Sequence, residues 1–153
     1  MKRDSSASSK LLASRSSEGP GKAGDIFDHQ KGTISGTEEK EGSWWSIDLG
    51  PSFRLAITHY SLRQGQRDGA SALTRWQLEG SNDEINWKEL ETIHNKNDVQ
   101  LTAPPPFYTG TWSVGGEVGA FRYFRIFQTG RNSSHKYGIY LSGIELFGML
   151  LYI

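Results

Sequence analysis

The stretch GSWWSIDLG, residues 42–50, alternates between two sets of side chains and ends at a glycine, which is typical of a half-buried β-strand. In a pleated strand Trp45, Ile47 and Leu49 point to the same face, and this apolar face predicts a strand of the core. Trp44 points to the opposite face. We therefore expect a sheet with one tryptophan in the core and its neighbour outside it.

The rest of the chain repeats this pattern of short strands separated by turn residues. Four further runs are rich in β-branched and aromatic residues: FRLAITHYSL (53–62), TRWQLEG (74–80), FRYFRIFQ (121–128) and IYLSGIELFG (139–148). In the first, the apolar phase slips after Ile57, which predicts a β-bulge near Thr58 or His59. The second leads through a turn to Trp87 and a strand near residues 88–93, which predicts a hairpin. With no helical periodicity, the chain is predicted to be all-β, an antiparallel β-sandwich of the jelly-roll type.

Charge and composition exclude several classes of function. Seventeen basic and seventeen acidic residues cancel, so we expect neither nucleic-acid binding nor docking to a membrane. The chain has no cysteine, which removes disulfides and thiolate metal sites. Its four histidines lack metal-ligand spacing, and no serine lies in a G-x-S-x-G motif. We therefore expect a domain without catalytic activity and without a cofactor.

Composition also suggests three parts of the chain. Residues 1–24 are rich in Ser, Gly and Lys, and we expect a largely disordered lead that orders only as a short edge strand near residues 13–17. Residues 25–148 are predicted to form the β-sandwich. Residues 149–153 form an apolar tail, which we expect to pack against a neighbouring segment.

Five ordered segments, GSWWSIDLG, the strand beginning LAI, WQLEGSNDEINW, FRYFRI and LSGIELFG, resemble the discoidin or coagulation-factor type C (F5/8 type C) domain, a galactose-binding-like jelly roll. The resemblance covers about residues 25–148. In that family the hairpin reads G-S-x-D-G-x-x-W, and Glu84 replaces its second glycine here. We expect Asn82 or Asn86 to adopt the left-handed conformation instead. The resemblance also implies that Trp87 plugs the end of the sandwich.

The segment SLRQGQRDGASALTRWQLEGS, residues 61–81, is similar to discoidin-like modules of large intracellular proteins, including HECT-type ubiquitin ligases and BTB-domain proteins. In secreted members of the family a disulfide normally joins the two ends of the domain, and this chain, which has no cysteine, cannot form one. The resemblance therefore implies an intracellular, cytoplasmic host protein that could be a ubiquitin ligase.

The same resemblance implies that three loops gather at one end of the sandwich and form a polar cup. The candidate ligand-binding residues are Asp28, His29, Gln64, Arg67, Asp68, Arg131, Asn132, His135 and Tyr137. Ordinary solvated loops would have a similar composition, so this alternative stays open. We expect a monomeric recognition module for a protein or peptide partner. The alternative is a lectin-like carbohydrate binder, with Tyr137 or Trp44 as stacking platform and with Arg131 and His135 binding hydroxyl groups.

Two further sets of residues carry predictions. Sugar-binding relatives often hold a structural calcium, which here would involve Asp25 or Asp28 with Glu145. For Glu145 we favour a salt bridge to Arg122 or Arg125. Among the tryptophans, Trp45, Trp76 and Trp87 are predicted to be core residues. We expect Trp44 to be partly buried beneath residues 28–43 in a structural role.

Overall fold

The computed structural model describes residues 11–27, 34–91 and 96–153. Eight strands follow one another along the chain: β1 Leu12–Arg15, β2 Trp44–Asp48, β3 Phe53–Gln64, β4 Trp76–Ser81, β5 Lys88–Glu91, β6 Thr109–Ser113, β7 Tyr123–Gln128 and β8 Leu141–Tyr152. Two 3₁₀ helices, Ala23–Phe27 and Gln100–Thr102, are the helical segments of the described ranges. No helix within those ranges is both long and apolar enough to span a bilayer.

The strands form two antiparallel sheets that face each other. One has five strands in the order β1-β2-β7-β4-β5, and the other has three in the order β6-β3-β8. Side chains from both sheets fill the space between them, and Trp45, Trp76 and Phe124 are at most 1% exposed. The prediction of an all-β antiparallel sandwich is confirmed.

Strand β3 has the irregularity that its sequence predicts. Its pairing with β8 shifts register between Ile57 and His59, so Thr58 is an extra residue on one strand. Because of this bulge, Leu55 and Ile57 before it and Tyr60 after it all point into the core. In a strand without the bulge, either Leu55 and Ile57 or Tyr60 would point to solvent.

The β4–β5 hairpin forms as predicted, but its turn differs from the expectation. Glu84, not Asn82 or Asn86, takes the left-handed conformation, with φ of 60°. Asp83 explains why a non-glycine residue is held there: its carboxylate accepts hydrogen bonds from the backbone N–H groups of Ile85 (2.9 Å) and Asn86 (2.7 Å). These bonds hold the pKa of Asp83 well below its ordinary value, so the carboxylate stays charged.

The short edge strand expected near residues 13–17 is present as β1, Leu12–Arg15, ahead of the predicted domain boundary at residue 25. β1 pairs antiparallel with β2 as the edge strand of the five-stranded sheet. Arg15 at its end is buried and donates hydrogen bonds to the carbonyl oxygens of Pro20 (2.9 Å), Gly21 (2.8 Å) and Gly36 (2.7 Å). Composition could not show that Arg15 is buried, because the burial depends on contacts with β2 and with Gly36.

The apolar tail is the continuation of β8. Residues 149–152 pair with the first half of β3, so they belong to the sheet. Their side chains remain outside the core: Met149 is 67% exposed and Tyr152 is 77% exposed.

Candidate functional site

Four strand termini meet at one end of the sandwich, which we call the loop end. Gln64, the last residue of β3, pairs with Leu141, the first residue of β8, and Trp76 at the start of β4 pairs with Gln128 at the end of β7. The segments that join these strands, residues 65–75 and 129–140, therefore lie together at the loop end.

Direct hydrogen bonds hold these two segments to each other. The backbone N–H groups of Ser71 and Ala72 donate to the hydroxyl oxygens of Ser134 (2.9 Å) and Ser133 (2.8 Å), and the N–H of Ser133 donates back to the carbonyl of Ala72 (2.9 Å). Ser133 and Ser134 thus tie the two loops of the predicted cup together. Neither serine is among the predicted ligand-binding residues.

Two of the predicted ligand-binding residues are buried and support the loops. Gln64 donates from Nε2 to the carbonyl of Ala70 (2.7 Å) and accepts from the N–H of Gln66 (2.6 Å). Asn132, which is 3% exposed, accepts from the N–H of Ser134 (3.0 Å) and also bonds within its own loop. The side-chain amides of Gln64 and Asn132 form hydrogen bonds within the protein. These bonds fix the backbone of the loops that carry the other candidate residues.

Three other candidates form one exposed cluster, which we call the Arg131 cluster. Arg131 donates from Nη1 to the carbonyl of His135 (3.1 Å), and its guanidinium carbon lies 4.9 Å from the centre of the Tyr137 ring. His135 has φ of 59°, which turns the loop sharply beside it. Arg131 and His135 are exposed and Tyr137 is partly exposed. This cluster presents a cation, an imidazole and a phenol to solvent.

The remaining candidates are on the neighbouring loop or outside the described residues. Arg67 and Asp68 are exposed, and the Asp68 carboxylate accepts from the N–H of Ala70 (2.9 Å). Asp68 also lines a small cavity of about 130 Å³ beside the segment 101–108. Asp28 and His29 lie outside the described residues.

Of the calcium candidates, Asp25 and Glu145 are among the described residues and Asp28 is not. The described ranges contain no group of three or more His, Cys, Asp or Glu side chains placed so that they could hold a metal ion. The Asp25 carboxylate accepts from the backbone N–H of Lys22 (2.8 Å) at the first 3₁₀ helix, and Glu145 is exposed on β8. Calcium requires six or more oxygen ligands, which these two residues cannot supply.

The arginines predicted to pair with Glu145 pair with other acids. Arg122 binds Asp48 on the adjacent strand (2.8 Å), and Arg125 binds Glu79. Burial opposes the ionisation of Asp48, but hydrogen bonds from Arg122 and from the N–H of Gly50 outweigh it and lower the pKa of Asp48. The prediction for Glu145 was wrong because strand order places β7 between β2 and β4, away from β8.

The core positions predicted for Trp45 and Trp76 and the partial burial of Trp44 are confirmed, and the core position predicted for Trp87 is wrong. Trp45 and Trp76 are core residues, whereas Trp87 is only partly buried and lies on the outer face of the five-stranded sheet, over Arg125 at 4.1 Å. Trp44 is partly buried, as predicted, on the same outer face. Residues 28–33 of the segment expected to cover Trp44 lie outside the described residues.

An apolar cavity of the described residues lies away from the loop end. A groove of about 550 Å³ opens between β2, the start of β3 and the second half of β8. Its walls are mostly apolar, and Leu11 and Leu150 at its margin are 43% and 56% exposed.

Comparison with known proteins decides the family. The model of the F5/8 type C domain matches residues 5–142. The chain belongs to the F5/8 type C domain family. This F5/8 type C domain is 35% identical over 142 residues to the E3 ubiquitin-protein ligase hecd-1 of Caenorhabditis elegans and 33% identical over 150 residues to the E3 ubiquitin-protein ligase Ufd4 of Drosophila melanogaster. It is also 31% identical over 142 residues to a BTB/POZ domain-containing protein of Arabidopsis thaliana.

These relatives are much longer than the present chain. The matches cover 91%, 92% and 91% of this chain but only 5%, 5% and 16% of the two ligases and the BTB/POZ protein. The expected resemblance to modules of ubiquitin ligases and BTB proteins is confirmed. As an F5/8 type C module the domain is non-catalytic, whereas the related full-length proteins include E3 ligases.

Solved structures confirm the fold. A carbohydrate-binding module of Clostridium perfringens, CpGH89CBM32-5, in complex with GalNAc-β-1,3-galactose, superposes with a TM-score of 0.69 at 15% identity, covering 90% of this chain and 95% of that one. At this identity the likeness shows the shared β-sandwich alone.

Proposed function

We propose that this F5/8 type C domain binds a protein or peptide partner through the loop end and works as a recognition module of a larger, intracellular ubiquitin-ligase component. Sequence similarity over nine-tenths of the chain to E3 ligases and a BTB/POZ protein supports the host and its location. The isolated domain acts as a monomer in this proposal.

The Arg131 cluster is the observation that carries this function. The buried Asn132 and the hydrogen bonds of Ser133 and Ser134 hold its loop, so the exposed groups are preorganised and little conformational entropy is lost on binding. Arg131 keeps most of its guanidinium donors after its single bond to the carbonyl of His135. A carboxylate or backbone carbonyl of a peptide is the natural acceptor for these donors.

A lectin-like function is the second candidate, because carbohydrate-binding modules share the fold. A sugar ring would stack on an open aromatic face. The guanidinium of Arg131 already lies over the Tyr137 ring, at 4.9 Å, and covers one face of it. At the Arg131 cluster this contact favours a peptide partner, which uses the hydrogen-bonding edge of Arg131, over a sugar, which needs the ring; Trp44, the other platform expected for a sugar, lies on the outer face of the five-stranded sheet.

A peptide display library panned against the 153-residue chain tests the proposal. Selected peptides are expected to bind at least tenfold more weakly to Arg131→Ala and Tyr137→Ala, which corresponds to about 1.4 kcal/mol or more. Arg54→Ala, an arginine at the opposite end of β3, is the matched control and is expected to bind normally. Selected peptides that bind both variants as well as the wild type would refute the loop-end site. Glycan-array binding lost in Tyr137→Ala would establish the lectin function instead.

A further inference from the structure

A second cleft lies on the outer face of the five-stranded sheet, separate from the Arg131 cluster. Six residues line it and enclose about 220 Å³: Ser14, Trp44, Ser46, Glu84, Trp87 and Arg125. Strand register explains their meeting, because Ser14, Ser46 and Arg125 lie side by side across β1, β2 and β7. Glu84 and Trp87 reach this face from the β4–β5 hairpin.

One wall of the cleft is rigid. Arg125 forms an ion pair with Glu79, and its guanidinium carbon lies 4.1 Å from the centre of the Trp87 ring and 5.1 Å from that of Phe127. The Trp87 indole N–H donates to the carbonyl of Glu84 (3.2 Å). Arg125 is therefore neutralised and stacked, and its charge is already satisfied inside the protein.

The opposite wall of the cleft is Trp44. Its backbone N–H donates to the hydroxyl of Ser16 (3.0 Å), but within the described ranges no aromatic ring or cation stacks on its indole. The indole is partly exposed and faces the cleft. An open indole face attracts cations more strongly than other aromatic rings do.

Among the described residues, one acid, Glu84, lines the cleft, and two more, Glu79 and Glu89, lie on neighbouring strands of the same sheet. Glu79 and Glu89 lie opposite each other on β4 and β5, and Glu84 stands at the rim, whereas Arg125 is the cation of the lining. One acid neutralises Arg125, which leaves two carboxylates in excess. Lys88 does not reduce this excess at the cleft, because its ammonium group donates to the carbonyl of Val118 (3.0 Å) elsewhere.

We propose that this cleft binds the cationic side chain of a lysine or arginine in a partner's extended segment, with the cation over Trp44 and near Glu84. The indole supplies the cation–π surface, Glu84 supplies the charge, and the hydroxyls of Ser14 and Ser46 accept hydrogen bonds from the bound ammonium or guanidinium group. This site does not depend on the loop-end function, and a partner could use either alone.

Titration with three short peptides, acetyl-Arg₄-amide, acetyl-Gln₄-amide and acetyl-Glu₄-amide, tests the site by NMR of the tryptophan indole N–H groups. The Arg₄ peptide is expected to shift the Trp44 and Trp87 indole resonances saturably, and the other two peptides are not. Trp44→Ala and Glu84→Gln are each expected to weaken binding roughly tenfold. Glu84→Gln keeps the shape of the hairpin, so it remains informative if the tryptophan variant is unstable.

Ile85→Ala is the matched control, because Ile85 is on the same hairpin and 81% exposed but does not line the cleft. Unchanged binding of Arg₄ in this variant, with loss in Glu84→Gln, supports the site. The proposal is overturned if Arg₄ shifts no indole resonance, if Gln₄ binds equally well, or if Glu84→Gln binds like the wild type. None of these results concerns the Arg131 cluster, so the two sites are tested separately.

Discussion

Replacing Arg15 with methionine is expected to destabilise the domain by about 3–5 kcal/mol, because several backbone carbonyl oxygens lose a charged hydrogen-bond donor. The Arg15 side chain is 1% exposed, and its guanidinium donates to four carbonyl oxygens: those of Pro20, Gly36, Gly21 and, at 3.3 Å, Gly19. It also binds the carboxylate of Glu18 (2.8 Å).

The size of the expected loss in unfolding free energy depends on which of these hydrogen bonds water can replace in the variant. Hydrogen bonds to a charged group contribute about 1.5–3 kcal/mol each, but they share one guanidinium and are not additive. Glu18 is 89% exposed, so its ion pair adds little. The bond to Gly36 is buried, and its carbonyl would lose its donor in a dry environment. Methionine keeps the packing of the stem, so the loss measured is mainly that of the donors.

Urea unfolding followed by tryptophan fluorescence measures this loss. With a slope of about 2 kcal/mol per molar urea, the midpoint is expected to fall by roughly 1.5–2.5 M. Lys22→Met is the control, because this exposed lysine lies in the same segment and carries the same charge. If the two variants unfold within about 0.5 kcal/mol of each other, a size typical of surface substitutions, residues 11–27 are not an integral part of the domain.

Two further predictions concern buried polar groups. Tyr60 accepts from the indole N–H of Trp76 (2.9 Å) and donates to Glu91, so Tyr60→Phe is expected to lower the unfolding free energy by about 2–3 kcal/mol, whereas Phe53→Leu at the sheet margin should cost less. Asp48 has a lowered pKa in the fold, so its contribution is present above the ordinary pKa of 3.8 and is lost as pH falls towards the lower folded value. Asp48→Asn should therefore be less stable at pH 7 but lose less stability than wild type below about pH 4. Parallel pH curves for the two proteins would contradict this.

The strands could be predicted because their signal is local. Alternation places Trp45 and Ile47 on one face wherever the strand packs, and the phase slip in β3 requires a bulge near Thr58 if both halves are to be buried. The β4–β5 hairpin could also be predicted from its turn residues. Which residue of the turn takes the left-handed conformation could not. The side chain of Asp83 stabilises that conformation at Glu84, and residue preferences alone favour asparagine there.

The candidate site was only partly predictable, since composition marks a loop as polar without showing which side chains reach solvent. Gln64 and Asn132 look like ligand-binding residues in sequence, yet they turn inward to satisfy backbone groups of their loops. Arg131 and Tyr137 have the same polar context and point outward. The difference depends on which backbone groups would otherwise be buried without partners.

The amino-acid sequence by itself determined the strands, the sandwich and the family, because alternation, turn chemistry and ordered motifs act between near neighbours in the chain. Only the tertiary structure decided that Arg15 is buried, that Arg122 and Arg125 pair with Asp48 and Glu79, and that Trp44 and Trp87 face one cleft. These contacts join residues dozens of positions apart. They depend on the order and register of the strands, which set which side chains come within a few ångströms of each other.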